Sequence, residues 1–302
     1  MSRSGSAAEP DGIRRRGLAA AAASLLLPGC TLLPDLNHDG PDAPQALPLG
    51  RPVRTAWVFS SGGPRGFVHV GVLRALDRLG LAPDLIVGAS VGALVGGLFA
   101  AGMPASDIET FALELEPVSM VRLAATADWR LSAAPLAGLM NRLAPVRRMQ
   151  DMPIAMACVA TRLADRQAVA FTHGELGLAV QASSAIEGRF TPVRIRSERY
   201  VDADWVAPLP VRIARALGAL RVIAVDATVH LERAPDEARR YREGDLRKLA
   251  LVQADARLAD LVIKPDFGYW VKLSRDFREH AAAAGHRETL AMADRLRTLH
   301  AR

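Results

Sequence analysis

Asp84-Leu85-Ile86-Val87-Gly88-Ala89-Ser90-Val91-Gly92-Ala93-Leu94-Val95-Gly96-Gly97 decides how this chain folds. The apolar run at its start has the pattern of a strand buried on both faces. The small apolar residues from 91 to 101 read as a buried helix. Between them lies Gly88-x-Ser90-x-Gly92. A strand that turns sharply into a helix leaves no room for side chains beside the turn, so glycines two before and two after the serine relieve the crowding. The serine is then pushed to the tip with its hydroxyl exposed. The following helix aims its unpaired N–H groups and positive dipole end at the same point. These mechanics predict a nucleophile. A Gly/Ser-rich turn without chemistry has the same composition, so the neighbouring segments must decide.

Working back, 55–59 reads as a first buried strand and runs into Ser60-Ser61-Gly62-Gly63-Pro64-Arg65-Gly66. A helix is predicted over 67–79, ended by Gly80. A glycine turn feeding a helix N-terminus suits anionic oxygen. Gly-Lys-Ser/Thr and G-x-G-x-x-G are both missing, so neither a phosphate loop nor a dinucleotide site is expected. An oxyanion hole fits better. Pro64 has no N–H, which leaves Gly62 and Gly63 as the donors. Arg65 is placed to hold an anionic head group or to brace the loop. In a right-handed βαβ unit both strand C-termini emerge at one sheet edge, so the glycine turn and Ser90 are expected to face each other.

Together, Ser61-Gly62-Gly63-Pro64-Arg65-Gly66 and Gly88-Ala89-Ser90-Val91-Gly92 resemble the G-G-G-x-R-G and G-x-S-x-G patterns of the patatin-like phospholipase family. Tyr200-Val201-Asp202-Ala203-Asp204, leading to Pro208-Leu209-Pro210, resembles the family's later D-G-G/A segment. The resemblance implies a three-layer α/β fold over 53–302, a mostly parallel central sheet with helices on both faces. It implies a serine acyl-ester hydrolase of phospholipase A type, with Ser90 as nucleophile, Asp202 as general base and no cofactor. Three positions depart from the pattern. Ser61 stands at the first glycine, Ala203 and Asp204 follow the aspartate, and Glu187 stands where the family usually has proline. A second carboxylate beside Asp202 would raise the pKa of one of the two. Ala203 would be strained if its turn needed positive φ. These departures motivate the alternative of a catalytically weak or inactive lipid-binding lipoprotein on the same fold.

Elsewhere, Ser106-x-x-Glu109 predicts a capping box opening a helix to about residue 115. Residues 116–135, with Met120, Leu123 and Trp129, are expected to form a lid or membrane-facing flap, or an ordinary loop with buried anchors. Strands are expected at 153–160, 167–172, 221–226 and 261–264. Helices are expected at 175–184 and 210–217 and, with a break near Gly285, at 276–302. The charged segment 230–247 reads as a surface excursion. No histidine stands in a recognisable motif, and His69 reads as packing. No ligand spacing suggests a metal.

The N-terminus reads as an address. Arg14-Arg15-Arg16 precede an apolar run over 18–27, too short to span a membrane. Leu27-Pro28-Gly29-Cys30 resembles a bacterial lipobox, which implies a signal peptide over 1–29 and lipidation of Cys30. Thr31 rather than aspartate after the cysteine implies a cell-envelope protein at the periplasmic face of the outer membrane. The proline-rich, aperiodic stretch 30–52 is expected to be a flexible tether. With 302 residues, half of them apolar, a sizeable core is assured. The net charge of +6 comes without a basic stripe interleaved with aromatics, so nucleic acid is not an expected partner. Two cysteines make no disulfide framework, and Cys158, in an apolar run, reads as a core residue.

Overall fold

The computed structural model describes residues 36–123 and 131–301. The expected signal segment, Cys30 and Trp129 of the flap lie outside the described residues.

Five short, apolar strands make the parallel heart of the molecule. In chain order the strands are β1 (Asn37–His38), β2 (Thr55–Phe59), β3 (Leu85–Ala89), β4 (Arg122–Leu123), β5 (Leu131–Ser132), β6 (Ala155–Arg162), β7 (Ala168–Phe171), β8 (Val193–Ile195), β9 (Glu198–Asp202), β10 (Arg221–Val225) and β11 (Leu261–Ile263). Strands β6, β3, β2, β10 and β11 run parallel in that order. Strands β7 and β9 both pair antiparallel with β6, and β8 and β1 extend the β9 side. The mostly parallel α/β sheet read from the sequence is therefore present. Strands β4 and β5 form a separate antiparallel pair.

Alternation along the strands feeds two cores. Trp57, Phe59, Ile86, Met156 and Cys158 point to one face, where they meet α1 (Phe67–Leu79), α2 (Val91–Ala100), α3 (Ala105–Glu114), α4 (Ala134–Leu143), α5 (Leu176–Ser183) and a later helix, α8 (Arg275–Ala291). Ala56, Val58, Leu85, Val87, Ala157 and Val159 point to the other, against α6 (Val211–Ala216) and α7 (Arg242–Ala256). The C-terminal α9 (Ala293–Ala301) closes the described chain and sends Leu296 into the first core. Burial on both faces explains why the strands read as continuous apolar runs. Each large apolar side chain fully removed from water contributes about 1.5–3 kcal/mol. Burial also pushes the Cys158 thiol well above its ordinary pKa, which suits an inert core residue.

Three expectations are corrected. Helix α8 runs straight through Gly285, and its break falls at Met292. Gly285 is there for contact: a Cβ would lie 2.0 Å from the Val68 carbonyl of α1, and one on Gly71 would lie 1.8 Å from that of Ala282. The two glycines let α1 and α8 touch backbone to backbone. The expected capping box does not form, because Pro104 takes the N-cap position of α3 and Ser106 bonds Asp107 instead. The tether is not free over 36–52. Strand β1 pairs with β8, Gln45 bridges to His173, and Arg51 donates to the carbonyls of Met152 and Pro153. Among the described residues no helix is long and apolar enough to cross a membrane.

Candidate active site

Ser90 caps α2 with φ 54° and ψ −122°, a conformation that costs a non-glycine residue on the order of 1–3 kcal/mol. Its surroundings enforce that geometry. A Cβ on Gly88 would sit 2.5 Å from the Ala93 nitrogen, and one on Gly92 would sit 2.3 Å from the Phe59 carbonyl. The Ser90 N–H donates to Ser183 Oγ at 2.9 Å, and Ser183 Oγ donates to the Val159 carbonyl at 2.6 Å. A neighbouring helix and strand thus hold the elbow, and Ser90 is 7% exposed.

Sheet register brings Asp202 to the same place from 112 residues away. Ala89 pairs with Val159, and the next residue of β6, Ala160, pairs with Asp202 on β9. Only the width of β6 separates the elbow from the end of β9. Asp202 is buried, donates its N–H to the Ala185 carbonyl, and accepts at Oδ1 from the Asp204 N–H at 2.8 Å. Burial raises its pKa to about 7, and the charge of Asp204 adds to the rise. A hydrogen bond from Ser90, the Asp204 N–H and the charge of Lys248 act in the opposite direction.

The glycine turn reaches the elbow through the β2–β3 pairing, in which Phe59 lies opposite Gly88. It closes into a 3-10 turn over Gly63–Gly66, with Gly63 at φ 53°. Among the described residues neither the Gly62 nor the Gly63 N–H donates to another protein group. Of the two roles considered for Arg65, the structure carries bracing. Its buried guanidinium donates to the carbonyls of Ala227, Gly268 and Tyr269 and lies 4.4 Å from the Phe267 ring centre. Burial lowers its pKa to about 10. A guanidinium so committed to carbonyls is not presented to a head group.

Gly63 and Ser90 share an apolar cavity of about 250 Å³ with Leu94, Leu136, Met120 and Phe190 on its walls. The described parts of segment 116–135 come to the site. Pro117, Met120, Val121 and Ala133 line this cavity, while Val118 and Leu123 turn outward at 74% and 59% exposure. No histidine lines it. His69 is fully buried, its Nε2 bonded to the Ser60 carbonyl at 2.9 Å, and burial lowers its pKa to about 4.

The unusual residues have partners that the sequence did not reveal. Ser61 Oγ donates to Asp204 Oδ1, and Lys248 Nζ of α7 pairs with the same oxygen. Ala203 is buried and does not adopt positive φ, so no strain arises there. Glu187 lies at the surface, paired with Arg166 at 2.9 Å. Ser183 and Lys248 escaped sequence reading, because nothing local distinguishes a serine late in a helix or a lysine in a charged one.

An elbow serine and a buried aspartate stand at the carboxyl edge of a mostly parallel sheet in an α/β protein. A sequence profile of the family described as "Patatin-like phospholipase" matches residues 57–215, more than half of the chain, and the chain belongs to that family. It is 34% identical over 178 residues to an uncharacterized NTE family protein of Mycobacterium tuberculosis, spanning 57% of this chain and 48% of that one. It is 30% identical over 177 residues to lysophospholipase NTE1 of Mycosarcoma maydis, spanning 56% of this chain and 9% of that one. The chain thus matches about half of the first relative's length and far less of the second's. The crystal structure of VipD from Legionella pneumophila aligns with a TM-score of 0.49 at 14% identity, over 86% of this chain and 71% of that one.

Proposed function

We propose that the protein hydrolyses lipid acyl esters with Ser90 as nucleophile and Asp202 as base. One observation carries the reading: the strained elbow serine, on the wall of an apolar cavity, lies one strand's width from a buried carboxylate whose pKa is raised to about 7. An ordinary aspartate is too weak a base near neutral pH, and a raised pKa is what general-base work there requires.

The steps follow from the geometry. Asp202 takes the Ser90 proton as Oγ bonds to the ester carbonyl carbon. Charge developing on the carbonyl oxygen meets the Gly62 and Gly63 N–H groups, a contribution of about 3–4 kcal/mol per donor in sites of this kind. The C–O bond to the leaving group breaks, and Asp202 returns the proton to the departing alkoxide. Water, deprotonated by Asp202, then attacks the acyl carbonyl carbon, the C–O bond to Ser90 breaks, and Asp202 returns the proton to Ser90 Oγ as the acid leaves. The cavity of about 250 Å³ is near the lower end of ligand-pocket volumes, about 300–1,000 Å³, and suits one acyl chain rather than a whole lipid. The substrate class is a long-chain phospholipid or lysophospholipid, a reading supported by the family and by the fungal relative's name.

The alternative of a catalytically weak or inactive lipid binder draws less support, since Asp204 has partners, Ala203 is unstrained and Glu187 is paired with Arg166 at the surface. Lipidation of Cys30 and location at the periplasmic face of the outer membrane are part of the proposal and rest on the N-terminal sequence alone. Hydrolysis of lysophospholipid and of a p-nitrophenyl acyl ester by the wild type, lost in both Ser90→Ala and Asp202→Asn, is the expected result. Full activity in both variants would refute the assignment.

A further inference from the structure

Asp204 and Ser61 are both departures from the family pattern, and they are in contact. The two residues lie 143 positions apart, one two residues after the base and one directly before the oxyanion glycines. Asp204 Oδ1 accepts from Ser61 Oγ and from Lys248 Nζ, while the Asp204 backbone N–H donates to Asp202 Oδ1. The Ser61 N–H donates to the Pro208 carbonyl at 2.8 Å, a second tie between the same two loops. The Asp204 and Lys248 side chains are 26% and 19% exposed, and Ser61 is fully buried.

We propose that Ser61, Asp204 and Lys248 form a positioning clasp that locks the base loop to the glycine turn and sets the electric field at Asp202. The inference rests on the reading of Asp202 as the base. A carboxylate beside a buried carboxylate repels it and favours the protonated form of Asp202. Lys248, paired with Asp204 from the next layer of the fold, offsets part of that repulsion, so the clasp tolerates a charge that the family's glycine avoids. Lysine delivers a compact charge that one oxygen can share with a hydroxyl.

The other polar groups around the pair are already committed. Asp245, one turn before Lys248 on α7, accepts from the Tyr269 hydroxyl at 2.6 Å. Arg65 is spent on backbone carbonyls. Arg247 lies over the Trp205 ring. Thr161 on β6 donates to the Asp202 backbone carbonyl, and from the elbow Ser90 acts to lower the pKa of its carboxylate. Among the described residues Lys248 is therefore the cation that acts on Asp202.

The test uses the full chain, with Asp204→Asn, Lys248→Met and the double variant. Two readouts are followed: the ¹³C NMR titration of the Asp202 carboxyl, assigned by its loss in Asp202→Asn, and the acid limb of kcat/KM on a soluble p-nitrophenyl ester. Removing Asp204's charge moves both midpoints down by about one pH unit, and removing Lys248's moves both up by a smaller amount. The double variant falls between them. A merely structural contact would lower activity without moving either midpoint, and that result, or shifts of the same sign in both variants, overturns the clasp. If the carboxyl titration shifts as expected while no variant nor the wild type turns over, the clasp stands and the hydrolase reading fails. Asp204→Asn keeps the volume and the bond from Ser61, so it decides the matter alone if Lys248→Met does not fold.

Discussion

Replacing Asp202 by asparagine should abolish hydrolysis and at the same time make the protein more stable, by an amount that depends on pH. The carboxyl is nearly excluded from water, and its pKa rises from an ordinary 3.8 to about 7. The folded state therefore holds this proton more tightly than the unfolded state. Below pH 3.8 the group is neutral in both states and costs nothing. Between about pH 4 and 7 it ionises only on unfolding, and stability falls by about 1.4 kcal/mol per pH unit. Above pH 7 the loss levels off at about 4 kcal/mol, an upper bound. Asparagine has the same shape, keeps an oxygen for the Asp204 N–H, and never ionises. All other titrating groups cancel in the comparison. Urea unfolding of both proteins should show Asp202→Asn more stable by about 2–4 kcal/mol at pH 8, with the difference vanishing towards pH 4. A pH-independent difference, or a variant less stable at pH 8, would refute the claim that the structure holds a desolvated carboxylate there.

The backbone of the elbow makes a related prediction. Ser90→Gly relieves the strained φ and should stabilise the fold by about 1 kcal/mol relative to Ser90→Ala, both variants being inactive; equal melting curves would argue against strain. Leu94→Trp narrows the cavity and should shift preference towards short acyl esters, read as the ratio of kcat/KM for butyrate and palmitate p-nitrophenyl esters, while an unchanged ratio would place the acyl chain elsewhere. Gly285→Ala drives a methyl into the Val68 carbonyl and should cost about 1–3 kcal/mol in urea unfolding, whereas a neutral effect would mean that α1 and α8 separate easily.

Much of this arrangement was legible because it is local. The β2–α1 and β3–α2 units announce themselves through apolar runs, glycines and a left-handed Gly80, all set within a few residues. The two turns at one sheet edge follow from the handedness of βαβ units. Asp202 became visible only through a family likeness, since an antiparallel strand, β9, delivers it across β6 by register rather than by sequence spacing. Gly285 misled because a glycine that permits close helix contact looks the same in sequence as one that ends a helix. The Ser106 box misled because a proline two residues earlier claimed the N-cap. The strap over 36–52 was illegible because its hold on the domain comes from edge pairing and carbonyl contacts that leave no periodicity. Lys248 was illegible because long-range charge pairs leave no local trace.

The central claim is that Ser90 is an activated nucleophile. Labelling of the folded wild-type protein by a fluorophosphonate, followed by peptide mass spectrometry, tests it most directly. One adduct is expected, on Ser90, formed at a rate that climbs through a midpoint near pH 7, absent from Ser90→Ala and strongly slowed in Asp202→Asn. No adduct on the folded wild type, or labelling that survives Ser90→Ala unchanged, would contradict it.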